Sequence, residues 1–154
     1  MLGERPNHFL NIMTIATKLK NFRTLDLQGL GMSVLIDQKQ SVIKLNQEQM
    51  LSNEDSLGGT LGDYQSDAYR RFKLRLGRTG KVDLYNTGSF QQAMKLNALS
   101  KIKYELTSTD SKLPMLRKNY GPNMFGLNAD SVNEYRKEFM PDLIDKVKAY
   151  VNAE

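Results

Sequence analysis

The sequence predicts an α+β fold in which a small antiparallel β-sheet, formed by a single hairpin, packs against helices. Three patterns support this: apolar residues at helical spacing early in the chain, paired runs of period two in the middle, and a long amphipathic stretch at the end. The 154 residues suit one domain of ordinary size with an extended arm. We therefore interpret residues 1–24 as an N-terminal helical arm and residues 25–154 as a single α+β domain.

Two helices are predicted ahead of the first glycine-rich segment. Residues 8–22 place their apolar side chains near one helical face. Between residues 25 and 51 the apolar residues recur at steps of three, four and seven, which predicts a second and longer helix, although residues 41–43 would also suit a strand. Residues 52–60 are small and polar and contain adjacent glycines, so we expect a loop there that serves as a hinge.

A basic segment follows at residues 63–78, where Tyr64, Ala68 and Phe72 are four residues apart and predict a short, strongly basic helix or arm ended by Gly77 and Gly80. Six basic residues and no acidic one occur between positions 70 and 81. They are Arg70, Arg71, Lys73, Arg75, Arg78 and Lys81. Two interpretations stay open: a solvated face, or an arm that contacts an acidic protein surface or the phosphates of a nucleic acid.

The chain then passes from helical to strand-forming sequence through a turn at Leu84-Tyr85-Asn86-Thr87-Gly88-Ser89-Phe90. Asn86 tolerates a left-handed backbone, the Thr87 hydroxyl can bond to the nearby main chain, and Gly88 accepts a positive φ. Leu84 and Phe90 are expected to anchor the turn in the core.

A hairpin and a C-terminal helix complete the predicted elements. Residues 94–98 and 102–106 alternate in polarity around a turn at Ser100-Lys101, which predicts two antiparallel strands with one buried face. Residues 113–120 are too few for an assignment, and Gly121-Pro122-Asn123 predicts a turn. From Val132 to Val151 one stripe is apolar, which predicts a helix with a capping box at Ser131-x-x-Glu134. Pro141 should kink this helix or start a new one.

No catalytic constellation is apparent, so we do not expect an enzyme, a cofactor, a metal site or a small-molecule substrate. The chain has one histidine, His8, and no cysteine, which leaves few ways to build a nucleophilic or metal site. No apolar run is long enough to cross a membrane, and no secretory leader is recognisable, so we expect a non-secreted protein. The 22 Lys and Arg residues exceed the 17 Asp and Glu residues, which favours acidic partners.

Two stretches resemble the head–tail joining, or tail-completion, proteins of tailed bacteriophages. The first is the basic segment leading into Leu84-x-x-Thr87-Gly88-x-Phe90, which is similar to a Leu-x-x-Thr-Gly-x-Leu signature that precedes a hairpin in that group. The second is Tyr120-Gly121 followed by Pro122-Asn123-Met124-Phe125-Gly126-Leu127 and a final helix. In addition, Leu45-Asn46-x-x-Gln49-Met50 resembles variants from phages of Bacteroides-type hosts. The resemblance spans roughly residues 42–151.

The resemblance implies a structural protein of the virion, made in the cytoplasm of the bacterial host. It would form a homo-oligomeric ring, a hexamer or dodecamer, at the neck between portal and tail, and would line or surround the DNA channel. Its partners would be other neck, portal or tail proteins, with non-specific contact to packaged DNA through the basic run. Within this interpretation Leu84, Thr87, Gly88 and Phe90 form the structural turn, and Tyr120, Gly121, Phe125 and Gly126 form a C-terminal loop. The alternative is a small nucleic-acid-binding protein that uses the Arg70–Lys81 run.

Overall fold

The structure, a computed structural model, describes the backbone of residues 7–153 and the side chains of residues 14–153. Three helices come first: α1 (Asn7–Arg23), α2 (Leu27–Asp37) and α3 (Lys39–Leu51). Helix α4 (Asp67–Arg75) and the single-turn helix α5 (Ser89–Gln92) lead into strands β1 (Met94–Ser100) and β2 (Lys103–Ser108). Helix α6 (Leu113–Tyr120), a turn of 3-10 helix (Pro122–Met124) and helix α7 (Ala129–Val151) follow. The fold is α+β, as the sequence predicts.

The predicted hairpin is confirmed as a two-stranded antiparallel sheet. Leu96 lies opposite Leu106 in the register, and both side chains are buried against the core. The register is interrupted between Ala98 and Ser100, and beyond this point the hairpin leaves the core. Ile102, which was expected on the buried face, is 72% exposed.

The predicted long helix over residues 25–51 is wrong in one respect, because it is broken into α2 and α3 at Gln38. The Gln38 side chain is buried and its amide donates to Oδ2 of Asp142 at 2.7 Å and to the carbonyl of Glu138 at 3.3 Å. Helix α7 therefore supplies the hydrogen-bond partners at the break. Residues 41–43 are helical, so the alternative of a strand there is also wrong.

Helix α1 lies where the sequence predicts the N-terminal arm, and its end packs on the end of α7. The Asn21 amide donates to the carbonyl of Ala153 at 2.8 Å, and the hydroxyls of Thr24 and Tyr150 are 3.3 Å apart. Ile15, Leu19 and Phe22 nevertheless remain exposed on α1. The division into an arm and a domain at residue 24 stays an interpretation.

Residues 52–60 form the predicted loop, and hydrogen bonds tie it to the C-terminal part of the chain. The Asp55 carboxylate accepts the N–H groups of Leu57 and Gly59 at 2.9 and 2.8 Å. The N–H of Ser56 donates to the carbonyl of Asn123 at 2.8 Å. A hinge function for this loop stays a prediction.

Helix α7 begins earlier than the sequence predicts. Its N-cap is Asn128, whose Oδ1 accepts the N–H of Ser131 at 2.9 Å, so the capping box beginning at Ser131 is wrong. Asn128 takes this position because its N–H donates to Oε1 of Gln49 and its amide donates to Glu54, both at 2.8 Å. The helix then runs through Pro141 without a second start.

The two capping assignments predict different effects of single substitutions. We expect Asn128→Ala to lower the free energy of unfolding by about 2–3 kcal/mol, because the cap and the bond to Glu54 are lost together. Ser131→Ala should cost less than about 1 kcal/mol, since alanine is the better helix former. Urea titrations followed by circular dichroism measure both, and a larger loss for Ser131→Ala would contradict the observed cap.

Candidate functional site

A buried ion pair holds helix α4 against the turn that follows it. Lys73 and Asp83 are each only 2% exposed, and Lys73 Nζ lies 2.8 Å from Asp83 Oδ1. The same ammonium donates to the carbonyl of Tyr85 and lies 5.6 and 5.7 Å from the ring centres of Tyr64 and Tyr69. Because a buried ion is costly unless its hydrogen bonds are made, these partners allow the charge to remain in the interior.

Asp83 is satisfied from several directions. Its Oδ1 accepts the Tyr64 hydroxyl at 2.8 Å and the N–H of Tyr85 at 3.0 Å, and its Oδ2 lies 3.4 Å from an Arg78 nitrogen. Burial alone would raise the pKa of Asp83, but the hydrogen bonds from Lys73, Tyr85 and Tyr64 outweigh it and keep that pKa below its ordinary value. Asp83 is therefore ionised at neutral pH and binds as a carboxylate.

The turn itself contains two left-handed residues. Gly88 has φ +86°, as expected, but the other is Leu84 at φ +49° rather than Asn86. A left-handed leucine costs about 1–2 kcal/mol, and the bond from the Gln91 amide to the Leu84 carbonyl at 2.8 Å helps to hold it. The Thr87 hydroxyl accepts the N–H of Ser89 at 3.4 Å, which is the local bond predicted for it. Leu84 and Phe90 are both buried, as predicted.

The turn and the C-terminal loop, which are distant in sequence, meet in the core. The rings of Phe90 and Phe125 have centres 6.1 Å apart, and the Arg117 guanidinium lies 5.7 Å from the Phe125 ring. The carbonyl of Gly126 accepts the amides of Asn46 and Gln49 at 2.9 and 3.0 Å, which fixes the loop on α3. Gly121 has φ +75° and lies directly after α6.

A cavity of about 600 Å³ opens between α4, the turn and α6. Tyr64, Tyr69, Tyr85 and Tyr120 line it together with apolar side chains of the core. Burial raises the pKa of Tyr120, and the nearby Tyr69 and Asp83 raise it further. Its phenol is therefore neutral at physiological pH and can donate a hydrogen bond.

The structure divides the six predicted contact residues into different environments. Arg70 and Arg71 are ion-paired with Asp67, at 2.9 and 2.6 Å. Arg78 is half-buried, with its guanidinium 4.0 Å from the Tyr85 ring centre. The remaining exposed cations are Arg75 and Lys81, and no salt bridge to either occurs among the described residues.

Lys73 corrects the sequence interpretation of the basic run. It was expected to contact a partner or DNA, but its ammonium is enclosed by Asp83 and Tyr85 and has no access to an external phosphate. The sequence does indicate a partner for Lys73, because Asp83 is the only acidic residue between Asp67 and Glu105. The tyrosine cavity was also missed, because Tyr85 and Tyr120 join it only through the tertiary fold.

Other kinds of site are not found in the part of the chain that the structure describes. No group of three or more potential metal-ligating side chains occurs within residues 14–153, whose side chains the structure describes. Among the same residues, no helix combines the length and apolar character needed to cross a membrane. Comparisons with known proteins gave no match: no family model matches the chain, and no curated protein or solved structure is significantly similar to it.

Removal of the buried cation tests the ion pair. We expect Lys73→Met to lower the free energy of unfolding by about 3–5 kcal/mol, because the Asp83 carboxylate is left buried without its partner. Lys81→Met, which removes an exposed cation eight residues away, should change it by less than about 0.5 kcal/mol. Chemical denaturation at neutral pH measures both variants, and equal stability of the two would contradict the inferred role of Lys73.

Gly88 can be compared with Gly77, which has a similar φ of +73° but no atom near the position of an added Cβ. At Gly88 an added Cβ would lie 3.2 Å from the Tyr85 hydroxyl oxygen and 3.3 Å from Cε2. We expect Gly77→Ala to cost about 1–2 kcal/mol from backbone strain, and Gly88→Ala at least about 1 kcal/mol more from crowding. Thermal or urea unfolding of both variants decides this, and equal losses would show that the turn relaxes around the methyl group.

Proposed function

We propose that this chain is a structural protein of a tailed-bacteriophage virion, one layer of a homo-oligomeric ring at the neck that joins portal and tail. In this role it has no catalytic site, and its work is to bind copies of itself and the adjacent neck proteins. The ring lines or surrounds the DNA channel. The observation that carries the proposal is the resemblance of two stretches, residues 64–90 and 120–127, to tail-completion proteins.

The two stretches contact each other in the fold, which supports treating them as parts of one resemblance. They are separated by the hairpin in sequence, yet the contact between Phe90 and Phe125 packs one against the other. The order of basic helix, turn, hairpin, loop and C-terminal helix also agrees with the order that the resemblance implies.

The hairpin offers a surface suited to contacts between copies. Within the described residues its two strands pair only with each other, so both outer edges present backbone N–H and C=O groups that no other described strand pairs. Leu99 and Ile102 are 54% and 72% exposed at its tip, beside a largely apolar groove of about 490 Å³ between the hairpin, α2 and α7. Lys101 and Ile102 are themselves among the residues that line this groove, so tip and groove form one continuous apolar surface that a neighbouring subunit of a ring would bury. We propose that a neighbouring copy of the chain occupies this groove.

A nucleic-acid-binding protein is the second candidate, and the exposed cations Arg75 and Lys81 favour it. Only these two members of the basic run are exposed and outside a salt bridge in the described structure, so few phosphates would be neutralised. We infer that binding through this run alone would show a shallow dependence on salt.

The ring proposal predicts that a charge at the hairpin tip blocks assembly. Wild-type protein should form a species of fixed subunit number, alone or with neck partners, whereas Ile102→Asp should remain monomeric because a carboxylate cannot be buried in the apolar groove. Leu57→Asp is the matched control, since Leu57 is 76% exposed in the loop of residues 52–60. Native mass spectrometry measures the subunit number.

Two results would contradict the proposal. One is wild-type protein that stays monomeric with every virion partner, and the other is equal assembly of Ile102→Asp and wild type. An inventory of gradient-purified phage particles by mass spectrometry tests the location itself. We expect a ring's worth of copies scaled to the portal protein, and absence of the chain from particles would overturn the virion role.

A further inference from the structure

We propose that the tyrosine cavity between α4, the turn and α6 binds an unpaired nucleotide, with the base among the tyrosine rings and the phosphate at Lys112. This site is separate from the exposed cations of the basic run. It also goes beyond the proposed virion role, because its geometry does not depend on ring formation.

The size and walls of the cavity suit a flat aromatic ligand. Its volume of about 600 Å³ lies within the range of about 300–1,000 Å³ that small-ligand sites occupy. Four of the seven tyrosines of the chain line it, while Leu84, Phe90 and Leu116 contribute apolar surface. Aromatic side chains stack on the face of any nucleobase and tolerate different sequences.

Several polar groups on the wall have no partner in the described structure. The hydroxyls of Tyr69 and Tyr120 and the amides of Asn86 and Asn119 line the cavity, yet they make no hydrogen bond to any described residue. An asparagine amide carries both donors and an acceptor, which matches the mixed pattern along the edge of a base. The cavity therefore offers hydrogen bonds that the protein does not use itself.

Lys112 supplies a positive charge on the wall of the cavity. Its ammonium donates to Oγ of Ser89 at 3.2 Å, and Thr87 donates to the same oxygen at 3.2 Å. No carboxylate of the described residues lies within salt-bridge distance of this ammonium, although Asp110 is close and accepts the Ser89 hydroxyl. An ammonium has three donors, so two remain for phosphate oxygens.

These features favour a nucleotide over a neutral or cationic ligand. A neutral ligand would bring no anion to the Lys112 ammonium, and a cation would find only one carboxylate, Asp63, among the lining residues. The base must also be unpaired, because a base stacked in a duplex cannot enter a cavity. A single strand or a strand end therefore fits.

The first experiment compares two probes of equal charge. Fluorescence anisotropy measures binding of a labelled single-stranded oligodeoxynucleotide and of an abasic chain of the same length. We expect the oligodeoxynucleotide to bind about 5- to 100-fold more tightly, since the abasic chain has phosphates but nothing to stack. Equal affinity for the two chains, or no binding of either at low salt, would overturn the proposal.

The second experiment locates the site with variants of matched charge. Asn119→Asp should weaken binding of the oligodeoxynucleotide about tenfold or more, because it replaces donors with a repelling carboxylate at the wall. Asn133→Asp changes the net charge equally at an exposed position of α7 outside the cavity, and should change affinity less than about twofold.

Equal losses in these two variants would exclude the cavity as the site. Tyr69→Leu provides a second measurement, because its loss removes a stacking surface from the cavity. Since the Tyr69 ring also lies 5.7 Å from Lys73 Nζ, a urea titration of this variant accompanies the binding measurement. Tyr69→Leu should weaken binding of the oligodeoxynucleotide and leave binding of the abasic chain unchanged. Equal weakening of binding for both probes would overturn base stacking. Circular dichroism checks folding. These binding measurements use no other virion protein. If they show no nucleotide site, the inventory of phage particles still tests the neck role independently.

Discussion

The buried pair of Lys73 and Asp83 is the interaction on which the middle of the structure depends. Removing either ion from water costs several kcal/mol, and the mutual attraction offsets this only when the remaining hydrogen bonds are made. Here they are made by Tyr64, Tyr85 and Arg78. The pair therefore fixes three segments at once: the approach to α4, the helix itself and the turn that leads to the hairpin.

This fixation explains how a strained turn is tolerated. Leu84 holds a left-handed backbone that favours glycine, between an aspartate and a tyrosine that are both held by Lys73. The Gln91 amide donates a hydrogen bond to the Leu84 carbonyl, so the strained residue is held at its own carbonyl as well as through its two neighbours. The consequence is positional: Phe90 reaches Phe125 and Tyr85 faces the cavity because the backbone between them has little freedom.

Local sequence patterns predicted the secondary-structure elements well, but they did not predict contacts between residues that are distant in sequence. The hairpin, the basic helix and α7 follow from periodicity, since each repeats one signal over many residues. The break at Gln38 and the cap at Asn128 do not, because their reasons lie in Asp142, Glu54 and Gln49, which are distant in sequence. In the candidate site, the turn residues were predicted, but the burial of Lys73 required knowing that Asp83 would fold back onto α4.

The same pair changes which surface is available for recognition. A run of six cations suggests a charged arm, yet one is buried, one stacks on Tyr85 and two share Asp67. The charge of this segment is thus used largely to build the scaffold. Polar groups without a protein partner lie instead along the wall of the tyrosine cavity, and an exposed apolar surface lies at the tip of the hairpin. Because an unused hydrogen-bonding group in a cavity and an uncovered apolar tip each gain from a partner, recognition by this chain is better sought at those two places than along the basic run.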